Sequence, residues 1–142
     1  MTIVRHQLTL PTSAPIEVVD ITEPIRTWLQ HQPVRNGVLT ILSRHTTARI
    51  TINEREAELQ RDMVTFLERL APAGNAYGHN VNTVDGRANA HAHLLGLFIN
   101  ASESVPLVDG ALLLGEWQSV FFVELDGPRA HRTIELHLVG EE

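Results

Sequence analysis

The chain has 142 residues, a formal net charge of −6 and no cysteine, and all 11 of its basic residues are arginine. Without cysteine there is no thiolate nucleophile, disulfide, iron–sulfur cluster or Cys-based zinc finger, and without lysine no Schiff base or P-loop lysine. The negative charge argues against non-specific nucleic-acid or anionic-membrane binding, while 43% hydrophobic and 20% charged residues suit one globular domain over residues 1–142.

Thr2–Leu10 reads as a first strand, with Val4, Leu8 and Leu10 sharing one parity, and Pro11–Pro15 as a turn. Thr22 is a candidate N-cap for a helix carrying Ile21, Ile25, Trp28 and Leu29 at helical spacing and ending near Pro33. Asn36-Gly37 reads as a turn. Val38–Leu42 is a short apolar run expected to be a strand buried on both faces. After Arg44–Thr47, the alternation of Ala48, Ile50 and Ile52 predicts a half-buried strand. Asn53 and Glu56 have capping-box spacing, which would place Glu54 at the first position of a helix with Leu59, Met63, Phe66, Leu67 and Leu70 on one face. Residues 72–87 show little periodicity, and Leu94–Ile99 reads as a buried helix. Strands follow at Val105–Val108, Ala111–Leu114, Trp117–Leu125 and His131–Val139, with turns at Asp109-Gly110 and at 126–129, the latter expected to close a hairpin. The pattern predicts an α+β domain, a mostly antiparallel sheet with two or three helices packed on it. No apolar run is long enough to span a bilayer and the N-terminus lacks a signal-peptide core, so a cytoplasmic protein is expected.

No two glycines stand two residues apart, which removes the G-x-G nucleotide loops, and neither H-E-x-x-H nor G-x-S-x-G occurs. What remains is a dispersed polar set and eight histidines. His45, in Arg44-His45-Thr46-Thr47, follows directly on an apolar strand, where ligand-contacting loops often begin; the alternative is a strand-end histidine bonded to backbone. His91 and His93 share a face on a strand but point apart on a helix, so in a helix only one can serve a given site. His79 lies in the irregular stretch, where no core role accounts for it. Separate histidines with an open position are how a cysteine-free chain would build a catalytic metal centre. Asp62 borders the apolar helix face, one turn from the like-charged Glu58, with Arg61 as a neutralising neighbour. Glu124 shares a strand face with Val120 and Phe122 and therefore needs a partner, which Arg129 or Arg132 can supply; a structural ion pair and a catalytic carboxylate both fit.

Together these residues resemble the YjbQ-like family, small proteins described as secondary thiamine-phosphate synthases. The resemblance runs through His45-Thr46-Thr47-Ala48, Ile52-Asn53-Glu54, Asp62, Tyr77-Gly78-His79 and Asn89-Ala90-His91-Ala92-His93-Leu94. It continues with Val105-Pro106-Leu107, Leu114-Gly115, Trp117-Gln118, Glu124, Asp126-Gly127-Pro128-Arg129 and Arg132, covering roughly residues 20–140. Leu-Gly-x-Trp-Gln with Glu-x-Asp-Gly-Pro-Arg is the most specific part. The resemblance implies a homotrimer with a polar pocket near subunit boundaries, in which His45, His79 and His93 converge as a metal or ligand site. Asn100-Ala101-Ser102 and Glu116 depart from the family's Gly-Ser-Ser and Thr.

The activity so implied is that of a transferase, joining a pyrimidine diphosphate to a thiazole phosphate and releasing pyrophosphate. The site set is then Glu54, Asp62, Glu124 and Arg129 for catalysis, with Thr46, Thr47, Ser102, Trp117, Gln118 and Arg132 for substrate. The cofactor is a divalent metal, zinc on His45, His79 and His93, or magnesium with a diphosphate substrate. Arg87, Arg129 and Arg132 suit the leaving pyrophosphate, and Asp62 or Glu124 the developing positive charge. The alternatives are a metal-dependent hydrolase or lyase with Glu54 or Asp62 as general base, and a non-catalytic protein that binds a small anionic metabolite. Each expects a phosphorylated or anionic small molecule as partner, and neither nucleic acid nor membrane.

Overall fold

A computed structural model describes residues 1–142 as two antiparallel sheets and four helices. In chain order the elements are β1 (Thr2–Thr12), β2 (Glu17–Asp20), α1 (Thr22–Leu29), β3 (Asn36–Leu42), β4 (Ala48–Glu54) and α2 (Ala57–Leu70). There follow α3 (Gly78–Val81), α4 (Ala90–Leu95), β5 (Ser102–Val108), β6 (Ala111–Leu112), β7 (Gln118–Glu124) and β8 (Arg129–Glu141). One sheet has the order β1-β8-β3-β5-β6 and the other β2-β7-β4. The expected α+β class holds; the helix beyond the expected two or three is the four-residue α3, inside the aperiodic stretch.

The layers follow from burial. Along β8, Ile134, Leu136 and Leu138 are at most 1% exposed, and they meet Leu39, Ile41, Ile50, Val120 and Phe122 in the main core between the sheets. On the other face of the three-stranded sheet, Val123 and Leu125 join Ile16, Ala71, Ala92 and Leu95 in a smaller core, against which Val64, Leu67 and Ile99 pack. The three-stranded sheet is thus the middle layer, which accounts for the unbroken apolar run of β7: both faces of this central strand are covered. No helix is long and apolar enough to cross a membrane.

Several local expectations are corrected. Val38–Leu42 is buried on one face only, since Val38 is 45% exposed on the outside of the five-stranded sheet. Asn36-Gly37 is not a turn but the start of β3, where a Cβ on Gly37 would meet the Val139 carbonyl oxygen at 2.1 Å. The first helix is entered through Ile21. Thr22 instead ties the helix to β7 by accepting the Val120 N–H at 2.8 Å, while Asp20 accepts the Thr22 N–H at 2.9 Å. The second helix starts three residues late: the Glu56 carboxylate caps it, accepting from the N–H groups of Glu58 and Leu59. Those two bonds hold the Glu56 carboxyl below its usual value. Glu54 is accordingly the last residue of β4. The fourth helix ends at Leu95, and Leu97 and Phe98 beyond it are exposed. Residues 126–129 do not close a hairpin, because β7 pairs with β2 and β4 whereas β8 pairs with β1 and β3; the turn carries the chain between sheets.

Candidate functional site

The crossing from β7 to β8 concentrates charge. Glu124 ends β7 with no exposure, and its charge is met by four hydrogen bonds. Arg132 of β8 donates through Nη2 to Oε1 at 2.5 Å and through Nε to Oε2 at 2.7 Å. Thr12 Oγ1 donates at 2.8 Å and the Asp126 N–H at 2.9 Å. Burial alone would raise this carboxyl, but the bonds from Arg132, the Asp126 amide and Thr12 outweigh it and hold the group below its usual value. Arg132, 2% exposed, also donates to Thr47 Oγ1 at 3.0 Å, so the end of the loop between β3 and β4 is tied to β8.

A second hub forms at Asp126. Its Oδ2 accepts from Arg87 Nε and Arg129 Nη2, each at 2.9 Å, and from Asn89 Nδ2 at 2.8 Å. Its carboxyl falls to about 2, because these bonds from Arg87, Asn89 and Arg129 exceed the opposing effect of burial. A carboxylate only accepts, so Asn89 must turn its NH₂ to Asp126 and its Oδ1 to His79 Nε2, 2.9 Å away. His79 therefore donates from Nε2. Its ring lies edge-on to that of His93, with centroids 5.0 Å apart. His45 stands on the loop after β3, where its Nε2 accepts the backbone N–H of Thr133 at 3.1 Å. Burial and the neighbouring Arg132 lower its pKa from the usual 6.5, outweighing the opposing effects of the Thr133 backbone and Glu124.

These elements enclose a cavity of about 330 Å³ lined by Arg44, His45, Thr46, Thr47, Asp85, Asn89, His93, Arg129 and Arg132, none of them hydrophobic. Behind this wall Glu124 and Asp126 fix two of the three arginines. A second, largely apolar recess lined by Tyr77, Gly78, His79, Ala90, His93 and Leu94 adjoins it, with His93 common to both. Guanidinium, imidazole and hydroxyl donors facing one small space can hydrogen-bond an oxyanion, with Asp85 the one carboxylate among them.

Of the residues singled out from the sequence, His45, His93, Thr46, Thr47, Arg129 and Arg132 line this pocket, and Glu124 supports it from behind. His79 is linked to it through Asn89. Glu54, Asp62, Ser102, Trp117 and Gln118 do not line it within one chain. Glu54 pairs with Gln118 at the start of β7, about 20 Å of strand from Glu124. Asp62 is exposed on α2, Ser102 is exposed at the start of β5, and Trp117 is 69% exposed. His91, on the opposite side of α4 from His93, is buried with Nδ1 unpaired. Arg44, Asp85, Asn89 and Asp126 had not been singled out as site residues; the signal for Asp126 was its place beside Glu124 and Arg129, concealed by reading 126–129 as a plain turn.

No three of the His, Asp and Glu side chains are arranged to hold an ion. His79 and His93 are adjacent, but His45 uses the lone pair of Nε2 on Thr133, so the trio does not form a zinc-type centre as arranged.

Comparison with known proteins places this geometry. The pattern of the family described as UPF0047 protein YjbQ-like matches residues 6–141. A UPF0047 protein of Methanothermobacter thermautotrophicus is 40% identical over 141 residues, covering 99% of this chain and 95% of the relative. A UPF0047 protein of Bacillus subtilis is 32% identical over 134 residues, covering 94% and 97%. The crystal structure of a YbjQ-like protein from Sulfolobus solfataricus superposes with a TM-score of 0.92 at 34% identity, covering 99% of both chains. The crystal structure of a hypothetical protein from Aeropyrum pernix gives 0.89 at 39% identity, covering 97% of this chain and 99% of the other. The chain belongs to the UPF0047, or YjbQ-like, family.

Proposed function

We propose that the polar pocket binds the phosphate or diphosphate of a small phosphorylated metabolite, and that the protein is a transferase of the thiamine-phosphate synthase kind. The observation that carries this reading is the composition of the cavity: three arginines, two histidines, two threonines and Asn89 around about 330 Å³, with Asp85 the one carboxylate and no hydrophobic residue. That volume suits a diphosphate, and the adjoining apolar recess suits the organic group it is attached to.

In the reaction, the bond between the pyrimidine methylene carbon and the diphosphate oxygen breaks, and its electron pair leaves with pyrophosphate. The lone pair of the thiazole nitrogen forms the new C–N bond. Arg44, Arg129 and Arg132 stabilise charge gathering on the leaving oxygens, aimed before substrate arrives because Asp126 and Glu124 hold two of them. Magnesium, where present, belongs to the diphosphate substrate. The threefold assembly expected from the family suits the exposed Leu97, Phe98, Leu113 and Trp117. Light scattering tests it.

The function is tested with the pyrimidine diphosphate and thiazole phosphate as substrates, following pyrophosphate release. Arg129→Ala should abolish release, and an unchanged rate overturns the role of the pocket. Binding without turnover by the native protein makes it a metabolite-binding protein instead.

A further inference from the structure

We infer that His45 serves the pocket as a fixed Nδ1–H donor to the bound oxyanion, its tautomer set by the backbone of β8, and not as a metal ligand. The inference deepens the proposed anion site and rests on that reading.

The register of the sheet supplies the reason. The β3–β8 ladder ends at Leu42 opposite Glu135, and beyond it β3 turns away into the loop that carries His45. The N–H of Thr133, the next in phase along β8, is left without a strand partner on that side, and the imidazole takes the strand's place. A backbone N–H only donates. The nitrogen 3.1 Å from it is therefore the one bearing the lone pair; Thr133 Oγ1, 3.2 Å from the same nitrogen, is then a donor to it, and a neutral ring carries its proton on Nδ1. Nδ1 has no partner within the protein and is not sealed from solvent, unlike Nδ1 of His91. His45 lines the polar cavity beside Arg44, Arg129 and Arg132, where a neutral donor adds a directed hydrogen bond without further like charge. Burial and Arg132, which disfavour the charged ring, act in the same sense.

The test uses the full chain labelled with nitrogen-15. Long-range proton–nitrogen correlation identifies which His45 nitrogen is protonated at a pH above the titration of the ring. The expected spectrum shows Nδ1–H with Nε2 unprotonated. Pyrophosphate should shift Nδ1, and zinc should leave both nitrogens in place. His45→Ala should weaken pyrophosphate binding about tenfold, the loss of one hydrogen bond to a charged group, and His45→Asn, whose amide N–H can reach the same region, should restore part of it. An Nε2–H tautomer, or zinc bound at Nε2, overturns the inference. Pyrophosphate that binds through Arg129 but leaves Nδ1 unmoved overturns the donor role alone. Absence of any pyrophosphate binding overturns the anion site, and the donor role with it.

Discussion

Replacing Glu124 by leucine leaves the Arg132 guanidinium without a counter-ion at a position where the arginine side chain is 3% and the glutamate 0% exposed. It also removes the acceptor of Thr12 Oγ1 and of the Asp126 N–H. Breaking a buried pair from one side costs about 3–5 kcal/mol, whereas replacing both partners by apolar groups is close to neutral. For a chain of this length, that cost lowers Tm by about 10–15 °C. Denaturant unfolding of Glu124→Leu, Arg132→Met and the double variant closes a thermodynamic cycle, and the double variant should recover at least ~2 kcal/mol of the larger single loss. The pH dependence has a definite sign. The folded-state pKa of Glu124 lies below its usual 4.5, so its contribution is complete above that value and is lost as pH falls through the lower folded value. Glu124→Gln should lack this part of the acid transition. A single-variant loss under ~1 kcal/mol, or no recovery in the double variant, refutes the reasoning.

Asp126→Asn removes the charge that fixes Arg87 and Arg129; with its carboxyl at about 2 against 3.8, the native protein should gain about 2 kcal/mol from this group above pH 4 and lose it between 4 and 2, a loss absent from the variant in acid unfolding. Gly127→Ala should destabilise by about 3 kcal/mol in denaturant, because its Cβ would meet the Ala14 carbonyl oxygen at 2.1 Å, and an unchanged midpoint shows that this contact can relax. The His45 ring should titrate below 6.5 by NMR, since burial and Arg132 disfavour its charged form, and Arg132→Met should raise that midpoint.

Much of the fold was legible because its signals are local. The alternation of Ala48, Ile50 and Ile52 gave β4, and the apolar stripe of Leu59, Met63 and Leu67 gave α2. What the sequence concealed depends on pairing between distant strands. Asn36-Gly37 carries a turn signal, yet its glycine is there because β3 and β8 backbones meet at Gly37 and Gly140. Asp126-Gly127-Pro128-Arg129 carries another, yet the flanking strands lie in different sheets. The strand β2 went unread because four residues offer too little periodicity. In the site, Glu124 was recognisable as a carboxylate in need of a partner, with Arg132 among the two arginines in reach. That Arg129 turns instead to Asp126, and that Asn89 joins Asp126 to His79, arises from three separate loops meeting and leaves no pattern along the chain. The histidine surplus pointed to a shared centre, and the bonds of His45 to Thr133 and of His79 to Asn89 come from tertiary contacts that the spacing does not show.

The central claim is that the cavity between the loop after β3 and the start of β8 is an oxyanion receptor. Isothermal titration of the native protein with pyrophosphate, repeated with Arg129→Ala, tests it most directly. The account predicts one site per chain, weakened about tenfold or more by the substitution, as expected for removal of a charge-assisted hydrogen bond. Heat of binding that is absent, or that is the same in both proteins, contradicts it.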